Sequence, residues 1–390
     1  MAITVNKPIG ITKEIFLALC LIGGEISKTT VAMLKADFGD SRIRIGTIRY
    51  FINNGCIKKI GEKGNYGYIL TPKGRQYLSI KFPDKYDYDE YTSSVSYYKD
   101  ENVRVRNRRL TEILYVLYRN GVDITDHYCD MEKIVNGFKI TVDEPFFVTA
   151  KTLRKTNNYF DKCFGSRAYG CIVTSTSLFV VYSPDREHNL FLNRECKLYE
   201  SLSGLLSSAE KPYCDVSALK ALYLYPTEDD VVDSFTITPE KIGKNVAQTQ
   251  RVYRRLNYSA SCINTFSGNS YDLRYILEPT LEQEINRVFV EYFELTERRI
   301  TTDASFADSL YDGRILTTVN WKLNPSKITE AISYTVQRRE RILMLCFEEQ
   351  KELLKAIAET SYAAKNNIVI ASLPSRDVID YIYGRIDYIE

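Results

Sequence analysis

Two acidic residues and a lysine near the middle of the chain have a spacing that could hold a metal ion. Pro184-Asp185 and Glu195-Cys196-Lys197 are separated by nine residues and form a P-D-(x)9-E-x-K pattern. In a metal-dependent nuclease, such carboxylates hold Mg²⁺ and the lysine stabilises charge or helps to activate water. A pattern this short can also arise by chance, and Pro-Asp is a common turn sequence. Asp185, Glu195 and Lys197 are therefore candidate catalytic residues that would need Mg²⁺.

The other reactive residue types argue against several enzyme classes. The two histidines, His127 and His188, are isolated, so the paired-histidine patterns of zinc sites and rolling-circle relaxases are absent. The chain has no G-x-x-x-x-G-K-[ST] phosphate-binding loop and no G-x-S-x-G pattern. Its nine cysteines are irregularly spaced without a C-x-x-C pair, which predicts buried, reduced thiols. We expect no cofactor, and Mg²⁺ only if the nuclease pattern is a working site.

Basic residues are concentrated at the start of the chain. The whole sequence has a formal net charge of +2, yet residues 1–75 carry twelve lysines and arginines against five acidic residues. The remainder is therefore mildly acidic. This asymmetry predicts a polyanionic partner for the N-terminal region alone.

The N-terminal region has the pattern of three helices followed by a β-hairpin. Thr12 is suited to cap a first helix that ends at Gly23-Gly24, Ser27 a second, and Ser41 a third. On the third helix, arginines can bind guanine edges or phosphates, while threonine and tyrosine can make positioning contacts. Two alternating segments at 56–60 and 66–70, with lysines on one arm and in the turn, predict the hairpin.

The string INNGCIKKIGEKGNYGYILTPKGRQYL resembles the end of the recognition helix, the wing and the closing helix of winged-helix regulators of the MarR and PadR type. The resemblance implies a winged helix-turn-helix over residues 1–80 that binds double-stranded DNA. An alternative is that the unit contacts protein and its basic residues are merely solvated. The residues expected to contact DNA are Lys28, Thr29, Arg42, Arg44, Thr47, Arg49, Tyr50, Lys58, Lys59, Lys63, Asn65, Tyr66 and Tyr68.

Two further segments follow this unit. Residues 81–103 are acidic and rich in tyrosine, which predicts a linker. Residues 104–390 begin with four arginines before an apolar helix at 110–119, and these arginines either touch phosphates or form a solvated flank. Alternating strand and helix patterns without a visible repeat then predict a mixed α/β domain, which could divide into two subdomains near residue 260. The expected fold class is α+β, a winged helix followed by a larger mixed domain that could be nuclease-like.

The chain resembles the replication-relaxation family of Gram-positive plasmids and conjugative elements in the order of its segments. These are a winged helix, a polar tether, the string RVRNRRLTEILYVLYRNGV and a tyrosine-rich body. This resemblance implies a DNA-binding protein of a mobile genetic element, acting in plasmid replication or conjugative mobilisation by sequence-specific binding and partner recruitment. It transfers no catalytic residue, so we favour a protein that is not an enzyme. The alternatives are a Mg²⁺-dependent, relaxase-like nicking nuclease and a winged-helix transcriptional regulator with a sensing or dimerising C-terminal domain.

The expected partners are double-stranded DNA, a second copy of the chain, and other replication or mobilisation proteins. A membrane partner is not expected, because no apolar run approaches the roughly 20 residues of a membrane-spanning helix. The chain also begins without the pattern of a signal peptide. We therefore expect a cytoplasmic location.

Overall fold

Helices and strands alternate along most of the chain, so the fold is mixed α+β. A computed structural model describes residues 13–39, 47–62, 65–81, 100–124, 144–156, 165–185, 190–208, 219–236, 246–256, 258–266, 271–298 and 304–384. The chain divides into two units, the first formed by residues 1–129 and 146–148 and the second by the rest. This division differs from the predicted domain boundaries at residues 80 and 104.

The first unit combines helices with a small antiparallel sheet. Its elements are α1 (Lys13–Gly23), β1 (Ile26–Ser27), α2 (Lys28–Phe38), α3 (Arg49–Asn53), β2 (Ile57–Ile60), β3 (Gly67–Leu70), α4 (Pro72–Lys81) and α5 (Glu101–Arg119), followed by β4 (Phe146–Thr149), in which the chain passes into the second unit. The strand order is β1-β3-β2, with both pairs antiparallel. Phe16 and Phe51 are fully buried and their rings stack with centroids 5.8 Å apart, so α1 and α3 share one core, and Leu34 of α2 is fully buried as well.

Helix α5 begins within the residues predicted to be a linker. Asp100 caps it by accepting a hydrogen bond from the Asn102 amide at 2.9 Å, so the helix is longer than the predicted 110–119. The residues at 113–117 are all buried, and the helix packs on α1, α2 and β1. These contacts explain why α5 belongs to the first unit and not to the predicted C-terminal domain.

The second unit contains two sheets, and the first of them is built on strands β5 to β8. The elements of this half are α6 (Ala150–Thr156), β5 (Gly170–Val173), β6 (Leu178–Tyr182), α7 (Leu192–Ser208), β7 (Leu219–Tyr225), α8 (Glu228–Phe235), α9 (Val246–Arg255) and β8 (Ala260–Thr265). Strands β5 and β6 form an antiparallel hairpin, whereas β6, β7 and β8 are parallel neighbours. The apolar pair at 191–192 in the sequence predicts a short strand, and this prediction is wrong, since Leu192 begins α7.

The other sheet of the second unit has the order β13-β12-β11-β10-β9. The elements of this half are α10 (Arg274–Leu277), α11 (Pro279–Tyr292), β9 (Thr296–Glu297), β10 (Ser309–Tyr311), β11 (Ile315–Val319), α12 (Pro325–Arg338), β12 (Ile342–Phe347), α13 (Lys351–Glu359), α14 (Tyr362–Asn367), β13 (Ile368–Leu373) and α15 (Ser375–Ile382). The sequence pattern predicts a single helix over residues 349–364, whereas the structure divides it, because Ser361 caps a separate helix, α14.

The two sheets of the second unit repeat one topology. Among the described residues, an antiparallel hairpin in each is followed by one α-helix, a parallel strand, two α-helices and another parallel strand. The strands concerned are β5 to β8 and β10 to β13. The inner strands β7 and β12 are almost fully buried along their length, which explains why their sequences are apolar except for Lys220. The sequence shows no repeat, so the likeness is one of topology.

Candidate nucleic-acid interface

The start of α2 presents a lysine and a threonine on the surface. Ser27 caps this helix as predicted, because its hydroxyl accepts a hydrogen bond from the Thr30 amide at 3.0 Å. The cap fixes the first turn, in which Lys28 and Thr29 are exposed. The same hydroxyl donates to the Glu112 carboxylate of α5 at 2.8 Å, so the cap is tied to a second helix.

The hairpin of β2 and β3 directs its two lysines to opposite faces. The register pairs Lys58 with Ile69 and Lys59 with Tyr68, and consecutive residues of a strand alternate between faces. Both lysines are exposed. They can therefore contact a neighbouring molecule only from different sides of the hairpin.

Lysines from two separate elements converge on one tyrosine ring. The Lys59 ammonium lies 3.7 Å from the centroid of the Tyr66 ring, and the Lys28 ammonium lies 5.3 Å from it. We name these three residues the lysine–tyrosine cluster. Tyr68 packs edge-on against Tyr66 with centroids 5.9 Å apart. The two ammonium groups supply positive charge and the phenol hydroxyl supplies a hydrogen-bond donor. Together they form a surface that can bind an anionic oxygen.

The predicted recognition helix is described only in its second half. Arg49 and Tyr50 are exposed on α3, whereas Thr47 is only 8% exposed and its side chain is turned into the unit. Arg42, Arg44 and Lys63 lie outside the described residues. Of the predicted contacts on this helix, Arg49 and Tyr50 are therefore the ones that the described structure places on the surface.

Asn65, another predicted DNA contact, is engaged by α5 at the end of the hairpin. Its side-chain oxygen accepts a hydrogen bond from Arg108, and its side-chain amide donates to Glu101 at 3.1 Å. Arg104 donates two hydrogen bonds to Glu25, at 2.9 and 3.1 Å, and Arg108 donates one at 2.7 Å. Both guanidinium groups also donate to the Asn65 carbonyl. We name these five residues the Glu25 clasp.

The centre of the Glu25 clasp is buried and closely packed. Glu25 is fully buried, and hydrogen bonding to it raises the pKa of Arg104. Gly67 faces this carboxylate so closely that an added Cβ would lie 2.2 Å from Glu25 Oε1. The sequence had left open whether Arg104 and Arg108 touch phosphates, and the structure pairs both with Glu25. An isolated acid in the apolar stretch 15–26 was the available signal, because a buried carboxylate needs partners.

The nuclease pattern of the second unit is not assembled on one face. Glu195 and Lys197 both lie on α7, where side chains two positions apart point roughly 200° away from each other. Accordingly Glu195 is buried and Lys197 is exposed, while Asp185 follows β6 and is half-buried. An E-x-K pair would share a face on a strand, with its period of two. Among the described residues, no three His, Cys, Asp or Glu side chains group as metal ligands.

Glu195 instead anchors a buried hydrogen-bond network. Its carboxylate accepts from the Ser166 hydroxyl at 2.6 Å and from the Arg167 amide at 2.9 Å. Burial raises its pKa. Tyr182 and Tyr223 stack nearby at 5.4 Å, and the Tyr182 and Tyr258 hydroxyls lie 2.8 Å apart. Many tyrosines in the sequence are thus explained by this core and not by nucleic-acid contacts.

Comparison of the chain with protein-family models, with curated proteins and with solved structures finds no match. Membership of the replication-relaxation family therefore stays a prediction. In the part of the chain that the structure describes, no helix combines the length and the apolar character that crossing a membrane requires.

Proposed function

We propose that the first unit is a winged helix that binds double-stranded DNA. In this proposal α2 and α3 form the helix-turn-helix, and the hairpin of β2 and β3 is the wing. The order of helices and strands and the β1-β3-β2 sheet support it. Exposed basic residues on α2, α3 and β2 support it further.

The observation that carries the proposal is the lysine–tyrosine cluster. Lys28 is at the start of α2 and Lys59 is in the wing, yet their ammonium groups approach the same ring. A DNA phosphate between them would accept hydrogen bonds from both lysines, which would fix the protein on the backbone. Arg49 and Tyr50 of α3 are then the described side chains that would reach base edges in the major groove.

A role in replication or mobilisation of a mobile element rests on the sequence resemblance, with the second unit recruiting partners or dimerising. We do not propose DNA cleavage, since Glu195 and Lys197 lie on different faces of α7. Selecting bound sequences from a random duplex pool tests the biological role. Enrichment of a replication or transfer origin supports it, whereas enrichment of the protein's own promoter alone favours a transcriptional regulator.

The DNA-binding proposal is tested by the salt dependence of duplex affinity, measured by fluorescence anisotropy. The double variant Lys28→Ala/Lys59→Ala should bind more weakly, with a log–log salt slope reduced by about one, since the single phosphate contact that the two lysines share contributes about 0.9. Lys351→Ala/Lys355→Ala, two lysines of α13 in the second unit, is the matched control and should bind like wild type.

Two results would count against this proposal. An unchanged slope in Lys28→Ala/Lys59→Ala would show that the lysine–tyrosine cluster does not hold phosphate. Absence of duplex binding by the wild-type protein would leave protein contacts as the role of the first unit.

A further inference from the structure

We propose that α5 positions the DNA-binding elements through polar side chains on one of its faces, and that Asn65 and Arg108 act as positioning residues that do not touch DNA. The inference rests on the proposed function of the first unit. It adds a helix outside the predicted winged helix to the residues on which DNA affinity depends.

Five polar residues of α5 form a single stripe along the helix. Successive members are separated by four, four, three and four positions, the spacing that keeps side chains on one face. The stripe consists of Arg104, Arg108, Glu112, Tyr115 and Arg119. Its members contact, in this order, the wing, the beginning of α2 and the end of α2.

The first two members hold the wing through the Glu25 clasp. Arg108 bonds both the side chain and the carbonyl of Asn65, and Arg104 reaches the same carbonyl at 3.4 Å. Gly61, at the other side of the turn, has a φ of 86°, and an added Cβ there would lie 2.6 Å from Arg104 Nη2. The wing turn therefore lies directly against α5.

The other three members hold α2 at its two ends. Glu112 accepts a hydrogen bond from Ser27, the capping residue next to Lys28. Tyr115 donates to Asp37 near the last turn of α2, and Arg119 donates to the same carboxylate at 3.3 Å. Lys28 and Lys59 meet at Tyr66 only if α2 and the wing keep their relative places. The contacts of α5 with both elements fix those places.

Direct contact of Asn65 with DNA is disfavoured because both ends of its amide are engaged within the protein. The oxygen accepts from Arg108 and the nitrogen donates to Glu101. A loss of affinity on removing this side chain would therefore come from a displaced wing. Such a displacement has a signature that a direct contact lacks: the wing amides exchange faster in the free protein.

The experiment compares Asn65→Ala and Arg108→Lys with Asn366→Ala, a matched control whose side chain donates to the Tyr362 carbonyl of α14. We expect Asn65→Ala and Arg108→Lys each to weaken duplex affinity about ten-fold, a loss in the range of one charge-assisted hydrogen bond. The double variant should be little weaker than either single variant, because both break the same clasp. Hydrogen exchange should accelerate at residues 60–62 and 66–68 in both, and the control should match wild type.

Hydrogen exchange is measured on the free protein, so it tests the clasp whether or not the protein binds DNA. A failure of the proposed function is therefore distinguishable from a failure of this inference. Unchanged wing exchange in Asn65→Ala would overturn the inference, and this exposed residue is replaced with little risk to folding. Wild-type affinity in Arg108→Lys, with a salt slope lowered by about one in Arg108→Ala, would instead make Arg108 a phosphate contact.

Discussion

The surroundings of Glu25 and Glu195 differ sharply, although both side chains are glutamates with no solvent exposure. In the first unit, Glu25 accepts hydrogen bonds from the guanidinium groups of Arg104 and Arg108. In the second unit, the Glu195 partners described above, the Ser166 hydroxyl and a backbone amide, carry no formal charge.

The difference teaches that a buried carboxylate is understood from its partners and not from its burial alone. Charged partners make Glu25 part of an ionic network whose members depend on one another. Neutral partners leave burial as the dominant influence on Glu195, which raises its pKa. A perturbed acid is often taken as a sign of catalysis. Here its hydrogen bonds belong to the core of the second unit.

The largest effect is expected from removing the carboxylate of the ionic network. Glu25→Ala leaves two guanidinium groups buried without their partner, which should destabilise the first unit by about 3–5 kcal/mol. Hydrogen exchange in urea, followed at α1 and α5, measures this loss. Trp321, the only tryptophan and fully buried in the second unit, provides the control, since its fluorescence transition should not move. Wild-type exchange protection in Glu25→Ala would contradict the account of the clasp.

A glycine substitution should have opposite signs in the two units. Gly67→Ala forces a methyl group against Glu25 and should destabilise the first unit by about 1–3 kcal/mol. Gly204→Ala, on α7, meets nothing within 4 Å and should stabilise the second unit by about 0.5–1 kcal/mol, because alanine favours helix. Exchange protection measures the first change and Trp321 fluorescence the second. If both substitutions changed the unfolding free energy in the same direction, contact with Glu25 would not be what determines the effect of Gly67→Ala.

The unfolding free energy of the second unit should depend less on pH in Glu195→Gln than in wild type. Because the pKa of Glu195 is raised in the folded state, the unfolded chain loses this proton at lower pH, near the ordinary value of 4.5. Stability therefore falls as pH rises from there to the raised value. Glutamine does not titrate, so the fall in unfolding free energy between pH 4 and pH 8 should be smaller in Glu195→Gln than in wild type. Urea titrations followed by Trp321 fluorescence test this prediction. If the pH dependence of the unfolding free energy is unchanged in Glu195→Gln, other groups are its cause.

The smallest effect is expected at Lys197. Because it lies on the exposed side of α7, Lys197→Ala should alter the unfolding free energy by less than about 0.5 kcal/mol. Combined with Glu195→Gln, its effect should be additive. Strong coupling between the two substitutions would mean that Lys197 is an electrostatic partner of Glu195 after all.

Local features of the first unit could be predicted well from the sequence. Ser27 caps α2, and the strands of the hairpin begin one residue after the predicted segments. Such features depend on residues close together in the chain. Arg104 pairs with Glu25 across 79 positions, and no local pattern identifies such a pair. The same limit explains why α5 was assigned to the following domain.

The errors and omissions in the second unit have a different origin. The E-x-K spacing would bring its two side chains to one face on a strand, and it lies on a helix in which the same spacing separates them. The repeated topology was invisible because two sheets can share a connectivity without sharing residues at matching positions. Topology is specified by where strands begin and how they pair, and pairing is long-range information.

The stripe on α5 also constrains how the chain can vary in length. One residue inserted into a helix rotates everything beyond it by roughly 100°. An insertion between Arg108 and Glu112 would leave the wing contacts in place and turn Glu112, Tyr115 and Arg119 away from α2. Residues on the opposite side of α5 can be exchanged one by one without this consequence. In homologues of this protein, the number of residues between Arg104 and Arg119 should therefore vary less than their identity.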